Sequence, residues 1–252
     1  LRDIELHANI SIGHENDYNV LEKRIVAAAQ CNADCVVLSK STPHLAIQPN
    51  KQYILLDSKW GALPYLEVAQ RSEIDDENCE KILKLVDQIG IPLKWSVTDV
   101  DSALWVKRNT GTNSIKIHFD SRNDKGLVEF VADNFQWITY GGNDKLIDLL
   151  LEKMGKPKYR KRVNLYHSTP KFPPQVEELN LDVIEKYKSR PHVGVGYEGR
   201  CEDIFPDCAV VFKNIDYIEK FLGDDDSTGA VLSPTKFYDF FVNMNQLEIA
   251  NG

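Results

Sequence analysis

The sequence predicts a (β/α)8 TIM barrel, an α/β fold in a single domain. Strand-like apolar runs and helix-like amphipathic runs alternate along the whole chain. There are eight of each at about thirty residues per unit, the arithmetic of that barrel. The length of 252 residues and the 42% hydrophobic content suit one large core. Such alternation implies a parallel sheet with right-handed crossovers. The rival is a doubly wound open sheet. It would want a glycine-rich first turn for a nucleotide, and the first turn here reads SIGHEN. Residues 1–252 show no linker and no second domain.

Each element has a local cause. Ile4 to Ile12 reads as the first strand. Asn19 to Gln30 carries apolar residues at helical spacing, with Asn19 as N-cap. Cys35 to Leu38 is a short apolar strand ending at Ser39 and Lys40. Residues 41–72 form an irregular insertion broken by Pro43, Pro49 and Pro64. It exceeds an ordinary βα loop, which points to function. Asp75 to Ile89 is helical and stops at Gly90. Leu93 to Val97 is the third strand, followed by a helix from Asp101 to Arg108. Ser114 to His118 is the fourth, followed by a helix from Lys125 to Asp133. Gln136 to Tyr140 is the fifth, closed by Gly141 and Gly142, and Asn143 caps a helix to Met154. Val163 to Tyr166 is the sixth strand. His167, Ser168 and Thr169 follow it, then a turn with Pro170, Pro173 and Pro174, then a helix from Leu179 to Ser189. His192 to Tyr197 is the seventh strand and Ile204 to Lys213 its short helix. Tyr217 to Lys220 is the eighth. The last helix runs from Pro234 to Gln246, with Pro in the first turn, where its missing N–H costs little.

Bulk properties exclude some functions. Formal net charge is −8 and the pI about 5.3, which argues against nucleic acid or an anionic membrane as partner. No apolar run is long enough to span a bilayer. No signal peptide opens the chain, so a cytoplasmic location is expected, and Leu1 in place of Met reads as a trimmed start. Cys31, Cys35, Cys79, Cys201 and Cys208 match no paired zinc spacing and are expected to be free buried thiols. The basic run Lys153 to Arg162 precedes the sixth strand, on the N-terminal face of the barrel. It reads as a solvated loop, with an anionic surface partner as the alternative. The acidic run Asp224 to Asp226 reads as a loop or a ligand-repelling gate.

Barrel chemistry sits at the C-terminal ends of the strands. Those ends offer Asn9 and Ser11, Lys40, Ser96 and Thr98, Lys116 and His118, Thr139 and Tyr140, His167 and Thr169, Glu198 and Arg200, and Glu219. In this reading Lys40, Lys116 and Arg200 converge on one mouth. Cations with hydroxyls between them suit a phosphate or carboxylate. The alternative is that each cation pairs with a carboxylate, for which Glu198 and Glu219 are available. The ligand-binding set is Lys40, Ser96, Lys116, Thr139, His167, Thr169, Glu198, Arg200 and Glu219, with no catalytic residue assigned. His14, His118 and His167 are metal-ligand candidates on paper. A metal needs several such groups on neighbouring strands, and no metal is expected.

At HSTPKFPPQVEELNLDVI, residues 167–184, the sequence resembles the HCTxxYPxPxEDxNL segment of the sialic acid synthase family, the N-acetylneuraminate synthases and their relatives. Other segments agree in order. Ile12 to Asn16 (IGHEN) is similar to INHNG, Cys35 to Pro43 (CVVLSKSTP) to AVKFQKRTP, and Leu63 to Glu67 (LPYLE) to TYLE. Ile91 to Ser102 (IPLKWSVTDVDS) is similar to IPWFASVWDLDS, and Lys116 to Asn123 (KIHFDSRN) to KIPSADITN. Val195 to Arg200 (VGYEGR), Ile218 to Asp224 (IEKFLGD) and Leu232 to Phe237 (LSPTKF) look like VGYSDH, IEKHFTLD and SLEPDEF. The resemblance spans nearly the whole chain and supports the barrel.

The resemblance implies a carbohydrate-biosynthesis transferase. It would condense phosphoenolpyruvate with an N-acetylhexosamine, forming a C–C bond with the help of Mn2+ or Mg2+. Lys40 and Lys116 would hold the phosphate and carboxylate of phosphoenolpyruvate. Thr139 stands at a phosphate-contacting serine, and Glu219 at a glutamate that contacts the acceptor sugar. The departures bear on the chemistry. The family's two metal-ligand histidines fall on Arg200 and Phe221, and its early glutamate on Asn9. The serine of KIPS is Phe119, the asparagine after HCT is Pro170, and the serine of YSDH is Glu198. The GPDH loop shortens to Gly229 and Ala230. The antifreeze-like C-terminal domain that closes the family's site across a dimer has no counterpart in the sequence, and a homodimer is left open. Three functions stay open. One is a degenerate member binding an anionic or phosphorylated sugar-type ligand without metal. The second is an active synthase using Mn2+ or Mg2+. The third is a structural or assembly scaffold.

Overall fold

The computed structural model describes residues 3–10, 13–56, 60–154, 162–225 and 230–251. Among the described residues the sheet has nine parallel strands, a short last one (Val231–Leu232) lying along the eighth, and eight make the barrel wall: β1 (Glu5–Asn9), β2 (Cys35–Lys40), β3 (Leu93–Val97), β4 (Ser114–Ile117), β5 (Trp137–Tyr140), β6 (Val163–Ser168), β7 (Gly194–Gly199) and β8 (Tyr217–Leu222). Each pairs with the next, and β8 returns to β1 with Glu5 opposite Tyr217 and Asn9 opposite Phe221. The barrel is therefore closed. The helices outside it are α1 (Tyr18–Gln30), α2 (Asp76–Ile89), α3 (Val100–Thr110), α4 (Lys125–Asn134), α5 (Asp144–Lys153), α6 (Asp182–Lys188), α7 (Ile204–Cys208) and α8 (Pro234–Asn251).

Strand side chains alternate, so each strand has a helix-facing set and an axial set. The helix-facing set is apolar. Leu6, Ala8, Val36, Leu38, Trp95, Val97, Ile115, Ile117, Val195 and Ile218 pack against the helix stripes in one continuous cluster. The axial set is polar: His7, Asn9, Ser96, Lys116, Thr139, Ser168, Glu198 and Glu219 are all buried there. A second, separate cluster of Phe119, Tyr166 and Tyr217 fills part of the axis. A Cβ on Gly196 would lie 2.1 Å from the Tyr217 ring. Glycine on β7 thus makes room for a side chain crossing from β8.

The structure shifts several expected boundaries. The first strand ends at Asn9, and Ser11 and Ile12 lie outside the described residues. The N-cap of α1 is Asp17, whose carboxylate accepts the Asn19 N–H at 3.0 Å, rather than Asn19. The seventh strand slides two residues later, and the eighth continues to Leu222. A single 3-10 turn (Val176–Glu178) delays α6 to Asp182. The insertion is partly ordered. It holds a helical turn (Pro43–Ala46), a small antiparallel pairing of Leu55–Leu56 with Leu63–Pro64, and a helix (Tyr65–Ser72). Most of the basic run, together with Asp226 and Gly229, lies outside the described residues. All five cysteines are free and buried, as expected.

Asp99 ties the insertion to the barrel. It caps α3 through Ser102 N at 2.7 Å in a reciprocal capping box, and accepts Thr42 N and Thr42 Oγ1, both at 2.8 Å. Burial alone would raise the Asp99 carboxyl, but the bonds from Ser102, Thr42 and Thr98 outweigh it and hold it below its ordinary value. Asp99→Ala is expected to cost about 2–3 kcal/mol, a cap plus buried partners left unmade. A group with a lowered folded pKa stabilises above its unfolded pKa and loses that contribution as pH falls through the folded value. Urea unfolding should therefore show the gap between the two chains narrowing below about pH 4.

Candidate functional site

The axial residues of β4, β6, β7 and β8 meet at the C-terminal mouth in one ionic cluster. Lys116 Nζ donates to Glu198 Oε2 and to Glu219 Oε1, each at 2.5 Å. It also sits 4.6 Å from the centre of the Tyr166 ring. The ammonium is thus held by two carboxylates beside the face of an aromatic ring. Glu198 Oε1 accepts from Arg200 Nε at 2.6 Å and from Ser168 Oγ at 2.9 Å. Asn9 Nδ2 donates to Glu219 Oε1 at 2.7 Å. Strand register makes this meeting unavoidable, because Glu198 lies opposite both Ser168 and Glu219.

The two glutamates are driven apart. Burial would raise Glu198, but Lys116 and Arg200 overcome it and hold its carboxyl far below the carboxylate range. Burial, aided by the negative charge of Glu198, keeps Glu219 above its ordinary value despite Lys116. Two carboxylates on one ammonium share their protonation in this way. Among the described residues, Glu219 Oε2 is buried with no partner, and so are Ser96 Oγ and Thr169 Oγ1. Arg200 bonds through Nε only. Among the described residues its two terminal nitrogens meet no acceptor, and Arg200 lies against the Phe119 ring at 5.1 Å. Burial lowers the His118 imidazole, whose Nδ1 accepts the Asp120 N–H at 3.3 Å.

Of the residues singled out from the sequence, Ser96, Lys116, Thr139, Glu198 and Glu219 are axial and buried, and Arg200 and Thr169 follow at the rim. Lys40 does not join them. It shares the helix-facing phase of Val36 and Leu38, donates to Ile74 O at 2.6 Å, pairs with Glu73 at 3.2 Å and stacks over Trp105. The expected three-cation mouth therefore has two cations. His167 is displaced for the same reason. It follows Val163 and Leu165 in phase and bonds Leu179 O at 2.6 Å. Lys116 is in place, but its ammonium is already saturated by carboxylates. The ligand-binding set left out Ser168, although it stood in the polar cluster after the sixth strand, and sequence reasoning missed Tyr166; alternation places both inward once His167 points out. Asp224 is not a free gate residue: it pairs with Lys23 and Arg24.

The residues present do not fit a divalent metal. Among the described residues no three His, Cys, Asp or Glu come together to hold one. Where the resemblance expects histidines stand a guanidinium and the Phe221 ring, packed edge-on against Phe172 at 5.1 Å. Neither offers a lone pair to a cation.

The NeuB family model matches residues 24–252. Human N-acetylneuraminate-9-phosphate synthase is 23% identical over 257 residues, covering 97% of this chain and 70% of that protein. Among solved structures, N-acetylneuraminic acid (sialic acid) synthetase from Leptospira borgpetersenii, in complex with citrate, superposes with a TM-score of 0.86 at 17% identity. That match covers 100% of this chain and 86% of the other. Spore coat polysaccharide biosynthesis protein spsE from Bacillus subtilis gives 0.77 at 20% identity, covering 98% and 68%. Among the described residues no helix is long and apolar enough to cross a membrane.

Proposed function

This chain belongs to the NeuB family, and on that premise we propose that it is a carbohydrate-biosynthesis barrel that binds an anionic, sugar-type ligand at its mouth without the family's metal. The carrying observation is Arg200: Glu198 holds its Nε, while both terminal nitrogens are left for a ligand. A guanidinium fork matches a carboxylate or phosphate in two parallel bonds. Thr169 Oγ1 and Ser96 Oγ, buried without a partner among the described residues, add polar groups at the C-terminal ends of β6 and β3. The citrate in the Leptospira relative agrees with an anionic ligand in a barrel of this kind. Lys116 stays with its carboxylates and holds Glu198 in the place that aims Arg200. A working synthase is the second reading, favoured by the 97% of this chain that aligns with the human synthase.

Thermal shift in EDTA tests the first reading. Phosphoenolpyruvate at about 100 times its Kd should stabilise by about 2.7 kcal/mol, and adding Mn2+ should change nothing. With N-acetylmannosamine present, phosphate release above background would sink it in favour of the synthase.

The mouth should also bind anions in a pH-dependent way. Two cations face Glu198 and a proton-retaining Glu219, so the cluster is positive while Glu219 is protonated and neutral once it ionises. Affinity is expected to fall about tenfold as pH rises through the raised Glu219 pKa. Pyruvate is a suitable probe, since its carboxylate stays ionised from pH 5 to 8. A flat titration would remove Glu219 from the site's charge balance.

A further inference from the structure

The helix-facing side of β8 should be wholly apolar, yet Lys220 sits there between Ile218 and Leu222 with no exposed surface. Its ammonium pairs with Asp207, from α7, which is equally buried. Lys220 Nζ also donates to the Cys201 carbonyl at 2.7 Å. Asp207 accepts the Tyr197 hydroxyl at 3.0 Å and a bond from the Cys201 side chain. The Asp207 carboxylate also lies directly on the backbone of Gly199, where a Cβ would come within 2.6 Å of it. Residues 197, 199 and 201 are thus all held from outside the barrel by one ion pair. Strand alternation then sends Glu198 and Arg200 inward.

We propose that Lys220 and Asp207 are positioning residues that aim the Arg200 guanidinium into the barrel mouth. The pair touches no ligand; it fixes the backbone on either side of Arg200. Stability alone is a poor reason for such a pair, because replacing a buried ion pair with apolar residues is often neutral or favourable. Geometry is a better one. The bond to the Cys201 carbonyl fixes the peptide one residue beyond Arg200, and contact at Gly199 fixes the residue before it. The functional consequence rests on the reading of Arg200 as the ligand-facing cation. The positioning itself does not.

The test uses the full chain with Lys220→Met and Asp207→Asn combined, so that neither charge is buried alone. NMR reads the Arg200 Nε–H, assigned by its loss in Arg200→Lys. In the native chain the bond to Glu198 should slow its exchange about tenfold relative to exposed arginines. The paired variant should lose that protection. Ile82→Ala, a core truncation on α2, should keep it at a comparable loss of Tm. Retained protection in the folded paired variant, or equal loss in Ile82→Ala, overturns the proposal. Tyr197→Phe removes one bond to Asp207 and no charge, and should speed exchange about threefold. If the paired variant does not fold, unchanged exchange in Tyr197→Phe overturns the proposal. Pyruvate titration of the same samples separates the readings. A native chain that binds none defeats the ligand assignment, while the exchange result still decides the positioning.

Discussion

Lys116→Met is expected to destabilise the barrel by about 3–5 kcal/mol at pH 8, the cost of stranding buried charge by removing one partner. Glu198 and Glu219 are nearly inaccessible, and both take a proton of Lys116. Glu198 would keep Arg200, whereas Glu219 would keep only Asn9. The pH dependence follows from the two shifts. Glu198, with a lowered folded pKa, stabilises above its unfolded pKa of about 4.3 and loses that as pH falls. Glu219, with a raised pKa, stabilises at low pH and loses that as pH rises through its folded value. Removing the ammonium raises both carboxyls, so the deficit should be largest at high pH and shrink as pH falls and Glu219 takes up its proton. Urea unfolding at three pH values reads this directly. A variant as stable as the native chain at pH 8 would show that Lys116 is not what compensates these glutamates.

The barrel was legible because its evidence is redundant. Each parallel strand is buried on its outer face, so every unit repeats the same apolar signal before a helical one. Strand ends carry no such redundancy, since one residue of phase decides which side of the wall a group occupies. Lys40 shows the error. It follows Val36 and Leu38 at a spacing of two, so the apolar phase already assigned it outward. His167 repeats the lesson after Val163 and Leu165. Lys220 could have been found the same way: a lysine in the apolar phase of a central strand demands a buried acid. That the acid is Asp207, on a five-residue helix, is a tertiary fact. The pairing of Lys116 and Arg200 with Glu198 was one of two sequence alternatives, and only register decides between them.

Substituting histidine at both Arg200 and Phe221 is expected to create a Mn2+ site where the natural residues do not fit one. Glu219 lies opposite Glu198 and Lys220 opposite Gly199, so Arg200 and Phe221 occupy the next rung on neighbouring strands, one step above the ionic cluster. Two imidazoles there would project beside Glu198. Loss of the guanidinium would free Glu198 Oε1 from its strongest partner, while Lys116 still holds Oε2. Two nitrogens and a carboxylate are a sufficient donor set for a first-row dication. The substitution gives up the edge-on contact of Phe221 with Phe172, so the apo variant should lose about 1–3 kcal/mol. Mn2+ at about 100 times its Kd should then return about 2.7 kcal/mol, visible as a thermal shift that EDTA reverses. The natural chain should show no such shift. A folded variant indifferent to Mn2+ would mean that residues 200 and 221 do not face a common point. Reversible stabilisation would locate the change of chemistry in two side chains: a fixed guanidinium that faces an anion directly, in a barrel still shaped to present a metal there.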